Sequence, residues 1–127
     1  MGDTVKQWLE RMKYDFGVAK AMLKMRKYLY VSFMCQQAVE KGLKAVLAKH
    51  NERIALIHNL RKLAIMANVE ADMTPDQIDL LEQLTPFAIK ARYGSYKRRL
   101  SELCDRKKAA EFVSRTERLI KWLEEKI

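Results

Sequence analysis

The chain has 127 residues, of which 49% are apolar and 32% charged, and its net charge is +9. This length suits a single domain over residues 1–127, and the balance of apolar and charged residues is that of a soluble globular protein. A membrane span is excluded, because no apolar run approaches the roughly 20 residues that a bilayer requires. The N-terminus opens with one acidic residue, Asp3, and has no apolar signal core, so we expect a cytoplasmic protein.

Hydrophobic periodicity predicts two long helices in the first half of the chain. The first is capped by Asp3 or Thr4 and runs to about Arg26. Its apolar residues recur at helical spacing: Val5, Trp8, Leu9, Met12, Phe16, Ala19 and Leu23. The second helix runs from about residue 29 to residue 49. Because only a tight connection separates them, the two helices are expected to pack antiparallel.

A short third helix and a fourth helix with a clear start signal are predicted next. The short helix covers residues 58–68. The fourth has Thr74 as its cap, Pro75 in its first turn and Gln77 in the capping-box position. Its apolar periodicity continues beyond Pro86, where we expect a break or a kink, because proline cannot donate the helical hydrogen bond.

The C-terminal part of the chain contains a loop and one more helix. Residues 92–96 have the composition of a loop, and the last helix starts at about residue 105 or 107 and ends near residue 127. No convincing strand is present. Five helices in total predict an all-α, bundle-like fold.

A row of polar residues runs along the otherwise apolar second helix. Its members recur at spacings of three and four, which places them on one line of the helix: Gln37, Glu40, Lys41 and Lys44. We call this line the polar row. Since amides, acids and amines do not drive the burial of a helix, the row either faces water or lines a site.

Basic residues are concentrated between residues 89 and 108. This stretch holds eight Lys and Arg against two acidic residues, which leaves +6 of the net charge of +9. Such a cluster is the electrostatic footprint of a partner that carries phosphates, and it is equally compatible with a solvated loop that keeps the protein soluble. Charge alone does not separate RNA, DNA, a nucleotide and an acidic protein.

Most signatures of catalysis and metal binding are missing from the sequence. It has no glycine-rich phosphate loop, no Gly-x-Ser-x-Gly elbow and no zinc spacing, so we expect no metal and no cofactor. His58 begins a helix, where a capping or packing role is expected, and His50 ends a helix, where a cation suits the helix dipole. Cys35 and Cys104 lie far apart and are expected to be reduced, buried thiols.

Taken together, several motifs resemble those of the HEPN domain family, the "higher eukaryotes and prokaryotes nucleotide-binding" domains. The most specific motif is the string Gln-Gln-Ala-x-Glu-Lys-x-x-Lys-Ala at residues 36–45. The other matching residues, in chain order, are Trp8, Asp15, Ala19, Phe33, His58-Asn59-Leu60 and Arg92-Tyr93. The resemblance covers about residues 5–123. It implies an up-and-down bundle of four long helices plus a short extra helix, usually paired into a homodimer.

The resemblance also implies partners and activities. Small free-standing members of the family are commonly encoded beside a minimal nucleotidyltransferase, in modules of toxin–antitoxin type. Many members are metal-independent endoribonucleases, whose motif is an Arg followed after four to six residues by a His. In a composite site across the dimer, the Arg stabilises phosphate charge and the His assists proton transfer from the 2′-hydroxyl.

Only half of that ribonuclease motif is present in this chain. Arg92 matches the Arg, but the positions of the His hold Lys97, Arg98 and Arg99. These cations can hold phosphates, yet they are poor bases at neutral pH. Residues 92–94 are close instead to the family's Arg-Tyr-Pro variant, which generally lacks the His.

The resemblance therefore favours binding over cleavage. We expect a non-catalytic dimer that engages a nucleotide, a nucleic acid or the nucleotidyltransferase through a cleft containing Arg92. The alternative is an endoribonuclease toxin whose atypical site lacks the His. Tyr93 and Tyr96 flank a basic stretch and suit stacking on a base or acceptance of a modifying group, and they equally suit closing the end of the bundle.

The polar row belongs to the same predicted site. Asp15 has apolar neighbours on the first helix, so if it is buried it needs a cationic partner, for which Lys41, Lys44 and Arg92 are candidates. Our hypothesis is that Asp15 and Glu40 orient Arg92, while the two lysines add positive potential. The predicted ligand-binding residues are Arg92, Tyr93, Tyr96, Lys97, Arg98, Arg99, Lys41 and Lys44. The supporting residues are Asp15, Gln37 and Glu40. The alternative is a solvated face whose ion pairs contribute roughly 0.2–0.5 kcal/mol each.

Overall fold

A computed structural model describes residues 2–50, 53, 56–88 and 101–127 of the chain. Within these ranges the chain forms five α-helices and no strand. The helices are α1 (Asp3–Lys24), α2 (Tyr28–Lys49), α3 (Leu60–Met66), α4 (Pro75–Leu84) and α5 (Arg106–Glu125). Two short 3-10 turns, Glu70–Asp72 and Thr85–Phe87, lie on either side of α4. The all-α bundle predicted from the sequence is confirmed.

The central element of the bundle is α2. Fourteen of its 22 residues are buried, so it is enclosed on nearly every side. It pairs along its length with α1 and packs on α5, while α3 and α4 close the remaining side. At Gly42 an added Cβ would lie 3.0 Å from both Leu123 Cδ1 and Met12 Sδ, so α1, α2 and α5 approach closely at this point.

Local signals placed two of the helix starts correctly. The capping box of α4 is present: Thr74 Oγ1 accepts from the Gln77 N–H at 3.1 Å, and Gln77 Oε1 accepts from the Thr74 N–H at 2.9 Å. Asp105 caps α5, accepting from the Lys108 N–H at 2.8 Å. The break expected at Pro86 is also confirmed, because α4 ends at Leu84 and Pro86 belongs to the 3-10 turn that follows.

The cap predicted for α1 was wrong, and of the two roles expected for His58, capping or packing, the structure excludes the cap. The N-cap of α1 is Gly2 and no side chain caps the helix, so Asp3 and Thr4 are already helical. Asp3 instead places its carboxylate in the first turn, where it suits the helix dipole. His58 does not cap α3: Asn59 does, accepting from the Lys62 N–H at 3.1 Å.

The turns that end α1 and α3 share a backbone motif. In each, the backbone N–H of the second residue after the C-cap donates to the carbonyl oxygen five residues earlier. These hydrogen bonds run from Lys27 to Met22 and from Val69 to Ala64. The residue before each donor is left-handed: Arg26 and Asn68 both have a φ of 61°. Gly or Asn is usual at this position, so Arg26 is the unexpected one.

None of the helices in the described ranges combines the length and apolar character that crossing a bilayer requires.

Candidate functional site: a buried polar network that opens onto a cleft

The polar row does not face water. Glu40 is 2% exposed and Lys44 6% exposed, and Gln36 beside them is fully buried. Burying such groups is unfavourable unless each one finds a partner. The structure supplies those partners from α1, from α2 itself and from the segment that leads into α3.

One end of the network joins α2 to α1. Lys41 Nζ lies 3.1 Å from Asp15 Oδ2 and donates at 3.0 Å to Gln37 Oε1. Gln37 in turn donates from Nε2 to Gln36 Oε1 at 2.7 Å. Among the described residues, Asp15 therefore pairs with Lys41, while Lys44 pairs with Glu40.

The other end of the network converges on the Glu40 carboxylate. Lys44 Nζ donates to Oε2 at 3.0 Å, while Gln36 Nε2 at 3.1 Å and His58 Nδ1 at 2.9 Å approach Oε1. Burial alone would raise the pKa of Glu40, but the hydrogen bonds from His58, Gln36 and Lys44 outweigh it and hold that pKa below its ordinary value. Glu40 is therefore an ionised, fully partnered carboxylate inside the fold.

The contact with Glu40 also fixes the imidazole of His58. Because an ionised carboxylate only accepts hydrogen bonds, Nδ1 of His58 must carry a proton, which leaves Nε2 as an acceptor in the neutral ring. Gln36 Nε2 also donates to the backbone carbonyl of His58 at 3.1 Å. The side chain of His58 is 44% exposed, so an oriented imidazole lies at the surface.

Trp8 on α1 lies between the network and the surface. Both Lys44 Nζ, at 5.5 Å from the ring centroid, and Arg11 Cζ, at 5.1 Å, lie within the range of cation–π attraction. Sequence reasoning missed the roles of Trp8 and Arg11 in the site. Trp8 and Arg11 are neighbours three residues apart on α1, which the sequence shows. The contact of Trp8 with Lys44 depends on how α1 packs on α2, which the sequence does not show.

The network reaches a cleft between the two helices. This cleft, which we call the α1–α2 cleft, has a volume of about 500 Å³ and is lined by Gln7, Glu10, Arg11, Tyr14, Asp15 and Lys41. Tyr14 is 73% exposed and presents an aromatic face there. Two cations and two carboxylates share the walls, so the cleft is polar and close to electrically neutral.

The predicted site residues thus divide into two groups. The structure brings together Asp15, Gln37, Glu40, Lys41 and Lys44 in one connected network. The other predicted residues lie outside the described part of the chain: Arg92, Tyr93, Tyr96, Lys97, Arg98 and Arg99. Whether Asp15 and Glu40 orient Arg92 therefore stays a prediction.

The two thiols lie apart from this network. Cys35 and Cys104 are both free and buried, as expected from their spacing. Burial raises the pKa of Cys35 to about 12, and Cys104 Sγ lies 2.6 Å from Ser32 Oγ. Across the described ranges, no three His, Cys, Asp or Glu side chains are grouped so that they could hold a metal ion.

A long two-helix hairpin packed on a third long helix, with a polar network buried along its central helix, defines a class of small helical-bundle proteins. The HEPN domain family model matches residues 5–126, so the chain belongs to the HEPN domain family. The sequence resemblance is confirmed.

Solved structures of other proteins share the fold. TT1696 of Thermus thermophilus is 23% identical, with a TM-score of 0.84 over 99% of this chain and 100% of that one. An HEPN domain protein of Thermotoga maritima is 25% identical, with a TM-score of 0.72 over 94% and 95% of the two chains. ST0689, an archaeal HEPN homologue, is 18% identical, with a TM-score of 0.69 over 94% of each. No curated protein matches the sequence.

Proposed function

We propose that this HEPN domain protein is the non-catalytic, nucleotide- or nucleic-acid-binding partner of a minimal nucleotidyltransferase in a module of toxin–antitoxin type. The observation that carries the binding role is that the buried network opens onto the α1–α2 cleft through Asp15 and Lys41. A network that fixes side chains at the edge of a cleft lowers the cost of ordering them around a ligand.

The side chains of the α1–α2 cleft suit a polar heterocycle. Tyr14 offers a surface for stacking, and the carboxylates of Glu10 and Asp15 can accept hydrogen bonds from the amino group of a base. Because the charges in this cleft balance, most of the attraction for phosphate must come from elsewhere. We assign it to Arg92 and to the basic residues 97–99, as the sequence predicts.

Binding in the α1–α2 cleft can be followed through Trp8, whose ring lies 5.1 Å from the guanidinium carbon of Arg11. The chain has two tryptophans, so Trp122→Phe leaves Trp8 as the only indole fluorophore. In that background we expect AMP to change the fluorescence saturably and Tyr14→Ala to weaken the affinity about fivefold or more. Met66→Ala, which alters an exposed apolar residue at the end of α3, away from the α1–α2 cleft, is the matched control.

If AMP changes neither the fluorescence of Trp8 nor the heat measured by titration calorimetry, the α1–α2 cleft does not bind the nucleotide. If Met66→Ala weakens the affinity as much as Tyr14→Ala, the effect does not come from the cleft.

The partners are tested separately. We expect the protein to form a homodimer, with a mass near twice the 14.9 kDa of one chain by light scattering. A small nucleotidyltransferase encoded beside it should co-purify with the tagged protein in a constant ratio. Monomeric behaviour at micromolar concentration, or elution of the two proteins apart, would contradict this part of the proposal.

The alternative function is a metal-independent endoribonuclease whose site lacks the His of the family motif. One observation favours it: Glu40 orients the imidazole of His58 and leaves its Nε2 as an acceptor at the surface, which is how general bases are commonly held. Purified protein incubated with total RNA and EDTA decides between the two functions. The non-catalytic proposal expects no cutting, whereas cleavage abolished by both Arg92→Ala and His58→Ala would establish the ribonuclease.

A further inference from the structure

A second cleft lies at the other end of the α1–α2 hairpin. It has a volume of about 350 Å³ and is formed by the end of α1, the turn after it and the first residues of α5. Its lining residues are Leu23, Lys24, Arg26, Tyr28, Arg106 and Ala110. We call it the basic cleft. It shares no lining residue with the α1–α2 cleft, and on α1 the nearest lining residues of the two clefts, Asp15 and Leu23, are eight positions or about 12 Å apart.

Among the described residues, the three cations of the basic cleft have no carboxylate partner. Eleven ion pairs occur within the described ranges, and none involves Lys24, Arg26 or Arg106. Asp105, the acid adjacent to Arg106, accepts from the backbone N–H of Lys108 as the cap of α5. Residues 89–100 contain no Asp or Glu, so that stretch cannot supply a carboxylate either.

Unmatched positive charges around one concavity favour the arrival of an anion. Like charges on the rim repel one another, and low-dielectric walls concentrate their field in the cleft. Here the walls include the apolar side chain of Leu23 and the half-buried ring of Tyr28. The volume is at the lower end of that of small-molecule sites, which suits a phosphate together with part of a sugar or base.

The backbone at Arg26 supplies an independent observation. Its φ of 61° lies in the left-handed region, where a side chain is disfavoured and Gly is the common residue. The equivalent position after α3 holds Asn68, a residue that tolerates this conformation. The chain therefore holds a guanidinium at the rim of the cleft in a conformation that disfavours arginine, and strained residues of this kind cluster at ligand sites.

We propose that the basic cleft binds a phosphate group, of a free nucleotide or of an RNA strand, between Lys24, Arg26 and Arg106. The proposal needs neither Arg92 nor the α1–α2 cleft, so it goes beyond the proposed function and can fail without it. Leu23 and Tyr28 then lie against the sugar or base attached to that phosphate.

The experiment is a titration of the ¹⁵N-labelled full chain with three probes: inorganic pyrophosphate, AMP and a ten-nucleotide polyuridine RNA. We expect saturable shifts of the backbone amides of residues 23–28 and 106–110. Arg26→Gly and Arg106→Gln should each weaken binding about tenfold at low salt, since each removes charge-assisted hydrogen bonds to phosphate. Because Gly suits the left-handed turn, Arg26→Gly should raise the melting temperature, so its loss of affinity cannot be ascribed to unfolding.

Lys13→Gln is the matched control, because Lys13 is exposed on α1, takes part in none of the ion pairs of the described ranges and lies about 16 Å along the helix from Lys24. It should change the affinity less than twofold. Similar affinity for all three probes would identify a free phosphate compound as the ligand. Tighter binding of the RNA, with a salt slope that falls by about 0.7 for each cation removed, would identify the nucleic acid backbone.

Two results would overturn the proposal. One is the absence of saturable shifts at residues 23–28 and 106–110 with every probe. The other is an equal loss of affinity in Lys13→Gln and Arg26→Gly, which would mean that only the overall positive charge matters. Shifts confined to residues 7–15 and 41 would support the α1–α2 cleft while refuting the basic cleft, so the two proposals remain distinguishable.

Discussion

Two groups of cations on the same pair of helices differ in what surrounds them. Lys44 is buried inside the bundle and Lys41 is half-buried at the edge of the α1–α2 cleft. Each is paired with a carboxylate, Lys41 at 3.1 Å and Lys44 at 3.0 Å. Lys24 and Arg26 lie at the end of the hairpin, are exposed, and have no ion pair within the described ranges. A basic residue in the sequence therefore does not by itself mark a binding site, because its partners decide whether its charge is available.

The two groups of cations have different roles. Buried charges that are fully partnered contribute mainly by fixing the positions of the helices. Removing one partner is strongly destabilising, because it leaves the other charge buried and unpaired. Exposed charges without partners contribute little to stability and are free to meet a ligand. Substitutions of the buried charges should therefore act mainly on the free energy of unfolding, and substitutions in the basic cleft mainly on affinity.

The largest expected effect is at Glu40. Glu40→Ala removes the carboxylate shared by Lys44, Gln36 and His58, and it leaves the ammonium of Lys44 buried without a counter-charge. We expect a loss of about 3–5 kcal/mol in the free energy of unfolding, measured in urea. Glu117→Ala, which breaks an exposed pair with Lys121 on α5, is the control and should change stability little.

A loss at Glu40 no larger than that of Glu117→Ala would show that the network does not hold the helices together. A partial recovery in the double variant Glu40→Leu/Lys44→Met would show that the cost comes from the stranded charge rather than from the lost volume.

The pH dependence of stability should come from the same carboxylate. Because the pKa of Glu40 is lower in the folded than in the unfolded state, its contribution is fully present above its ordinary pKa and is lost as the pH falls through the folded value. We expect the free energy of unfolding, measured in urea, to fall below about pH 4.5. This fall should be smaller in Glu40→Gln than in the unaltered protein. Parallel pH profiles for the two proteins would refute this assignment.

Sequence reasoning succeeded where the signal was local. The capping box at Thr74 and the break at Pro86 depend on neighbouring residues, and both were predicted correctly. The string at residues 36–45 was sufficient to indicate the family. The cap, one of the two roles expected for His58, lies one position further on, at Asn59.

The site could be predicted only in part, because its contacts join residues that are distant in sequence. His58 contacts Glu40 across 18 positions, and the sequence contained no signal for that pairing. Lys41 was one of three candidate partners named for Asp15, and the pairing seen in the structure depends on how α1 packs on α2. The basic cleft joins Arg26 to Arg106, so no local pattern indicates it.

A smaller loss is expected at the edge of the network. Asp15 and Lys41 are both partly exposed, and the ammonium of Lys41 keeps a second bond to Gln37, so Asp15→Asn should cost about 1 kcal/mol. The same variant should lower the affinity for AMP if the α1–α2 cleft is the binding site. Loss of stability with unchanged affinity would limit Asp15 to a structural role.

The smallest expected effect has the opposite sign. Arg26→Gly relieves the left-handed strain, which for a residue with a side chain costs about 1–2 kcal/mol, and part of the gain is offset by the greater freedom of Gly in the unfolded chain. We expect a net gain of about 0.5–1 kcal/mol, against little change for Asn68→Gly at the equivalent turn. A gain in stability combined with weaker phosphate binding would show that Arg26 serves binding rather than stability. In the buried network, by contrast, we expect the removal of a single charge to lower stability. A loss of stability would mean that Arg26 has a structural partner, and the contrast between the two groups of cations would then fail.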